Sequence, residues 1–240
     1  MLGKVYLIGA GPGAADLITV RGARLLAQAE VVLYDALVTP EMLELCKQAE
    51  LISVGKRSGQ RSAAQADINR QLVDCARRYQ AVVRLKGGDP MLFGRADEEL
   101  RALEAEGIEV EIVPGITTAV AAAAATRQPL TKRGVARSVA FFTSSTAPDQ
   151  RTAAPPALPE TDTLVQYMGG REAAATAERL LAEGRRPDLP VVVVENCSRA
   201  DQRILRLTLA TLAHGLEMAH GPVLVMIGEA LMRRTHQAPD

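Results

Sequence analysis

The sequence predicts two α/β domains, the first on a largely parallel sheet covered by helices and the second on a mixed sheet. Three observations carry this. In residues 1–134 short β-branched runs alternate with helical patterns; beyond 135 strand patterns follow one another without full helical crossovers; and the turn-rich tract TRQPLTKRG at 126–134 separates the two stretches. The boundary is placed near Gly134, giving domains 1–134 and 135–240.

Taken in order, VYLIGA (5–10), VVLYD (31–35), LISVG (51–55), AVVRL (81–85) and VEIV (110–113) read as buried strands. A helix is expected from Ser62, with Gln65 completing a capping box and Ile68, Leu72, Cys75 and Ala76 on one face. Another runs over 97–106, with Asp97, Glu98 and Glu99 in its first turn and a stop at Gly107. The alanine-rich tract after Pro114-Gly115 reads as a closely packed helix. In the second half SVAFFTS (138–144), TLVQYM (163–168), PVVVVEN (190–196), RILRLTL (203–209) and PVLVMIGE (222–229) read as strands. A helix carrying Ala173, Ala177, Leu180 and Leu181 ends at Gly184, and the Pro/Ala-rich stretch 146–160 reads as an exposed connection.

Composition removes several functional classes. With 28 Lys plus Arg against 28 Asp plus Glu, the chain lacks the basic excess that a general nucleic-acid or anionic-membrane binder needs. At 240 residues it can bury about 70% of its unfolded surface and needs no staple. Cys46, Cys75 and Cys197 are widely spaced, without a CxxC or His-containing pattern, so neither a disulfide framework nor a metal site is expected and a reducing cytoplasm fits. The apolar run at 116–126 is too short to span a bilayer, and VYLIGA runs straight into GPG without the form of a signal peptide. With 3% aromatic residues, stacking platforms for single-stranded nucleic acid are not expected.

GAGPGA at 9–14 follows a strand, and Asp35 ends the next strand, which loosely satisfies a dinucleotide fingerprint. Such a loop aims backbone N–H groups at a pyrophosphate, yet Pro12 has none and fixes its own φ. By itself the loop fits a structural tight turn as well as a cofactor turn, and it suits a ligand without phosphate. More informative is RLKGGDP at 84–90, followed by LFGRADEE at 92–99. Two glycines at the carboxyl end of a buried strand let a ligand approach the backbone at the edge where open α/β sheets bind ligands.

With these residues the chain resembles the tetrapyrrole (precorrin) methyltransferase family. Further matches run in order: VYLIGAGPGAADLITVRGARLL (5–26), VVLYDALV (31–38), VGKRSG (54–59), VPGIT (113–117), PLTKRGVARSV (129–139), TLVQYMG (163–169), VVENCSRADQR (194–203) and VLVMIGE (223–229). The resemblance implies an active site in the cleft between the two domains. It also implies transfer of two methyl groups from S-adenosylmethionine to uroporphyrinogen III, giving precorrin-2 by way of precorrin-1, with S-adenosylhomocysteine released and no metal required. That product feeds sirohaem, cobalamin or haem d1 synthesis. The partners implied are a tetrapyrrole and a second copy of the chain, with no nucleic acid or membrane.

Residue roles follow from the same resemblance. Pro12, Gly87, Gly88, Asp89 and Leu92 in the first domain, Thr117 and Thr118 after VPG, and Met168 and Cys197 in the second domain are implied to contact the donor. Asp35 matches the proposed proton acceptor and Lys56 the proposed proton donor; on position alone Asp35 also suits a turn or helix cap, and Lys56 a solvated strand end. Arg95, Arg133 and Glu98 match positions implicated in substrate binding or catalysis, with Met168 beside the substrate. Arg127, Lys132 and Arg137 thicken the same basic region, and guanidinium groups suit a tetrapyrrole with eight carboxylates. Such a compact polyanion needs a few cations at one mouth rather than a basic chain. Met91, Leu92, Phe93 and Met168 are expected as its apolar neighbours. His214, His220 and His236 lie outside every motif.

The chain departs from the family pattern at four places. Ala96-Asp97 replaces Gly-Gly, PLTKRGVARS replaces PLTHRDYAQS, Gln166 stands where Phe is common, and Cys197 occupies a Gly position where its thiol is expected to narrow the donor pocket. The alternatives are a precorrin methyltransferase acting at another ring position, a protein- or RNA-modifying relative, a non-catalytic paralogue that binds donor or tetrapyrrole, and an NAD-dependent oxidoreductase. Pro12 and KGGDP argue against the last. The resemblance starts at residue 5 and fills the chain, so no fused dehydrogenase or ferrochelatase domain is expected within it.

Overall fold

The structure is a computed structural model that describes residues 2–55, 65–144, 157–217 and 221–233. The chain divides into two compact units, Met1–Thr118 and Ala119–Asp240. In the first unit lie β1 (Lys4–Gly9), α1 (Val20–Leu26), β2 (Val31–Tyr34), α2 (Pro40–Leu43), β3 (Glu50–Ser53), α3 (Gln65–Arg78), β4 (Ala81–Lys86), α4 (Ala96–Ala105) and β5 (Val110–Val113). The second holds α5 (Thr118–Thr126, one residue across the division), β6 (Val139–Thr143), β7 (Thr163–Tyr167), α6 (Ala173–Ala182), β8 (Pro190–Glu195), β9 (Arg203–Thr208), α7 (Leu209–Ala213) and β10 (Val223–Gly228). Each predicted strand forms. The predicted Ser62 cap lies outside the described residues.

The first sheet has the order β3-β2-β4-β1-β5 with every pairing parallel. Its central strands β2, β4 and β1 are largely buried on both faces, which is why they read as continuous apolar runs, whereas the edge strand β3, expected to be buried, is mostly exposed and β5 half-buried. One face packs Val5, Leu7, Leu33 and Val82 against Ile68, Leu72, Cys75 and Ala76 of α3 and Leu103 of α4. The other packs Ile8, Val32, Val83 and Leu85 against Leu26 of α1 and Met42 of α2. Because side chains alternate along a strand, Arg84 and Lys86 of β4 share the face of Val82. They therefore point into the α3/α4 layer.

The second sheet has the order β6-β7-β10-β8-β9, with β6 and β7 parallel and the remaining pairs antiparallel, the mixed sheet the sequence predicts. α6 and α7 cover one face through Ala173, Ala177, Leu180, Leu209 and Leu212. The other face takes α5, whose Ala119 and Ala122 pack with Val165, Val192, Val194, Leu224 and Met226. This packing moves the division between units to Thr118/Ala119, ahead of the Gly134 expected from sequence: methyl-sized side chains let α5 lie close on the second sheet, so the helix joins that unit.

Three loop ends in the first unit meet without room for side chains. A Cβ on Gly115 would collide with the Gly88 carbonyl oxygen and lie 2.7 Å from Gly9 Cα, and one on Gly9 would lie 2.6 Å from that same oxygen. Gly115→Ala should therefore destabilise the protein by about 1–3 kcal/mol, the usual cost of overpacking a site that cannot relax. Urea unfolding checks this; an unchanged midpoint would show that the loops can separate.

Candidate active site

β2 and β4 are neighbours whose outgoing connections diverge, the first toward β3 and the second toward β5. Such a switch point leaves a crevice at the carboxyl ends of the strands, the usual ligand site of an open α/β sheet. On the other side of β4, backbone bonds stitch its loop to the one that follows β1. Ala10 N–H donates to the Lys86 carbonyl at 2.7 Å, and Gly11 and Gly88 exchange N–H···O bonds of 3.2 and 2.7 Å. Gly88 has φ +70°, and a Cβ there would meet nothing within 4 Å, so open space lies over its backbone.

Asp89 ties in the third loop. One carboxylate oxygen accepts from Met91 N–H at 2.8 Å and the other from Gly115 N–H at 2.9 Å. Asp35, just beyond β2, accepts from Leu37 N–H at 2.9 Å and from Gly87 N–H at 3.3 Å. The turn role that its position suggests is thus realised, and the same carboxylate is tied to the loop after β4. Pro12, Gly87, Gly88, Asp89 and Leu92, all implied donor contacts, are half-buried around these loop ends, and Thr117 and Thr118 follow Gly115. Lys56 lies outside the described residues.

Beneath Asp35 is a feature that sequence reasoning missed. Arg84, Lys86 and Glu99 are 4%, 3% and 0% exposed. Glu99 accepts from Arg84 Nε at 3.0 Å and from Lys86 Nζ at 2.7 Å, while Arg84 reaches Asp35 Oδ2 at 4.0 Å. Burial, reinforced by the neighbouring Arg84 charge, pushes Lys86 below the usual lysine range against the opposing pull of Glu99 and Asp35. The available signal was two cations at alternate positions of an otherwise apolar strand, AVVRLK.

Arg95 and Glu98 occupy the next turn. Arg95 precedes α4 with φ +55° and grips Glu98 through two bonds of 2.7 and 2.8 Å, both side chains being exposed. The Arg95 hydrogen bond holds the Glu98 carboxyl below the ordinary range. Of the adjacent acids, Glu98 faces outward and Glu99 inward.

In the second unit β7 and β8 both run antiparallel to β10, so their carboxyl ends share one edge. Exposed Met168 follows β7 and buried Cys197 follows β8. The Tyr167 hydroxyl accepts from Ala119 N–H at 3.2 Å, tying the start of α5, beside Thr118, to β7. Arg133 stands exposed at the tip of a turn closed by bonds of 2.9 and 2.8 Å between the backbones of Lys132 and Ala136; Arg127, Lys132 and Arg137 are exposed along the same segment. Gln166 is fully buried and donates to Thr176 at 2.9 Å and Ser144 at 3.2 Å, a polar cluster in place of the expected aromatic ring.

Backbone strain gathers at these strand ends. The non-glycine residues with positive φ among those described are Phe93, Arg95, Arg127, Met168, Asn196 and Ser198. All but Arg127 lie in the loops after β4, β7 and β8. Each costs of order 1–3 kcal/mol, and such conformations concentrate at ligand sites. Among the described residues no group of three or more His, Cys, Asp or Glu side chains could hold a metal ion. No helix among them is long and apolar enough to cross a membrane.

A parallel sheet with a glycine-lined switch point, followed by a unit on a mixed sheet, defines a two-unit α/β protein with a candidate ligand site at its strand ends. The chain belongs to the tetrapyrrole (corrin/porphyrin) methylases, whose family model matches residues 4–213. It is 48% identical over 229 residues to a siroheme synthase of Tolumonas auensis, covering 95% of this chain and 49% of that protein. The chain thus spans about half the length of the curated relatives it matches. Among solved structures it resembles uroporphyrin-III C-methyltransferase from Thermus thermophilus complexed with S-adenosylhomocysteine (39% identity, TM-score 0.81, 95% of this chain and 93% of that one). It also resembles a cobalamin-biosynthetic cobalt precorrin-4 methyltransferase (30%, TM-score 0.80, 96% of each chain).

Burial raises the Cys197 thiol to about 11 and also raises Cys46 and Cys75. A raised thiol stays protonated and is a poor nucleophile. Folded protein at pH 8.5 should therefore react slowly with iodoacetamide, with all three cysteines labelled after denaturation. Rapid native labelling of Cys197 would contradict its assigned burial.

Proposed function

We propose that this protein is an S-adenosylmethionine-dependent C-methyltransferase that converts uroporphyrinogen III to precorrin-2 through precorrin-1. The observation that carries the reading is the joined set of loop ends at Gly9–Gly13, Gly87–Asp89 and Gly115, stitched by backbone bonds and Asp89, in a chain that shares its fold over most of its length with a uroporphyrin-III C-methyltransferase. The residues present fit the donor. It has no phosphate, so the missing N–H of Pro12 costs nothing, and the open backbone of Gly88 leaves room for a flat group. When bound, S-adenosylmethionine supplies an electrophilic methyl: the pyrrole carbon forms a C–C bond as the S–CH₃ bond breaks, leaving S-adenosylhomocysteine.

Pro12, Gly87, Gly88, Asp89, Leu92, Thr117, Thr118, Met168 and Cys197 hold the donor in this reading, and the Cys197 side chain narrows its pocket. Alignment of the reactants supplies most of the rate, since a well-oriented pair can gain about 7–11 kcal/mol over free encounter. Asp35 accepts the proton that the methylated ring system releases. Its two backbone donors, Leu37 and Gly87, aim the carboxylate without consuming all its lone pairs. Lys56 serves as proton donor. Arg95, Arg133 and their basic neighbours meet the acceptor's carboxylates, with Glu98 orienting Arg95, and exposed Met91, Phe93 and Met168 offer it apolar contact. The working form is a homodimer in the cytoplasm.

Anaerobic incubation with S-adenosylmethionine and freshly generated uroporphyrinogen III, followed by mass spectrometry, should show the addition of one and then two methyl groups. No mass gain would overturn the reading. Asp35→Asn should slow transfer by about 10²–10⁴-fold, the usual worth of a positioned base, while donor affinity measured by calorimetry is retained. Full turnover in that variant would remove Asp35 from the chemistry.

A further inference from the structure

Four charged groups meet where the first sheet ends, and they balance. Arg84 and Lys86 carry two positive charges, Glu99 and Asp35 two negative. Glu99 is completely buried and the two cations nearly so, whereas Asp35 is partly open, its side chain 25% exposed. Arg84 is further fixed by donating to the Leu85 and Leu33 carbonyls at 3.0 and 3.4 Å. Around Lys86 the charged groups are Arg84 on its own strand, Glu99 and the outward-facing Glu98 on α4, and Asp35 beyond β2. From α3, Gln65 donates to Glu99 at 3.4 Å and brings no charge.

We propose that Arg84, Lys86 and Glu99 form the buried counter-charge of Asp35, so that Lys86 and Glu99 are positioning residues for the base rather than catalytic residues. The inference rests on the reading of Asp35 as proton acceptor. Replacing buried ion pairs by apolar side chains is often neutral or stabilising, so their presence under the active-site edge calls for a role other than stability. Coupling to Asp35 supplies one. With three of the four charges fixed inside, one unit of positive charge faces outward and is neutralised by the Asp35 carboxylate. When Asp35 takes the proton from the methylated ring system, that surplus reappears, and passage of the proton onward to solvent restores the balance. The base is reset for the second methyl transfer.

Charge counting gives the test. Glu99→Gln leaves the cluster one positive charge in surplus, Lys86→Met leaves one negative, and the double variant restores balance with Arg84 facing Asp35. In pH profiles of kcat the acidic limb should move down by about one pH unit in Glu99→Gln and up by about one in Lys86→Met, returning toward wild type in the double variant. A merely structural role predicts lowered activity without opposed shifts or their cancellation. Should Glu99→Gln fail to fold, Lys86→Met and the double variant still test the sign. A readout without activity is the NMR titration of the Lys86 ammonium, which Asp35→Asn should move to lower pH because an opposing negative charge is lost. Unmoved limbs in an active enzyme, shifts of like sign, or a Lys86 titration indifferent to Asp35 would each overturn the proposal. Absence of methyl transfer in the wild type would instead sink the functional reading, while the Lys86 titration still decides whether the cluster is coupled to Asp35.

Discussion

The contact of Gly9, Gly88 and Gly115 is the constraint on which the candidate site depends. Parallel strands at their normal spacing bring loop ends near one another, but only the missing Cβ atoms of Gly9 and Gly115 allow the backbones to touch as they do here. That contact puts the Asp89 carboxylate within reach of Gly115 N–H, and it presents the open backbone of Gly88 at the switch point. It also fixes the place of Asp35, which accepts from Gly87 N–H of the same loop.

Below this shelf the sheet changes character. Val82 belongs to the apolar layer with α3 and α4, whereas Arg84 and Lys86, the next residues on the same face, replace that layer by ions closed off by Glu99. Breaking such a pair leaves an uncompensated buried charge, at a cost of about 3–5 kcal/mol. The apolar part of the core holds the fold, and the ionic part serves the edge.

Much of this was legible in the sequence. Strand positions followed from β-branched runs, and the stops near Gly107 and Gly184 from helix-end chemistry. RLKGGDP, with its paired glycines after an apolar run, marked the candidate ligand edge. What escaped followed from distance along the chain and from partnership. α2 and α7, of 4 and 5 residues, are too short to show a helical period. The unit division moved because alanine gives no sign of which sheet it packs on. Of Glu98 and Glu99, family pattern singled out the first, but only the packing of α4 on β4 reveals that the second faces two buried cations. Cys197 was expected to narrow a pocket; its burial between two strained residues, Asn196 and Ser198, shows how tightly that turn is held.

The central claim is that the strand-end loops of the first unit receive the methyl donor. Backbone amide NMR during titration with S-adenosylhomocysteine tests it most directly. The largest shifts are expected at Gly11–Gly13, Gly87–Asp89 and Gly115–Thr117. Saturable binding that leaves those amides unmoved and shifts others instead would contradict it.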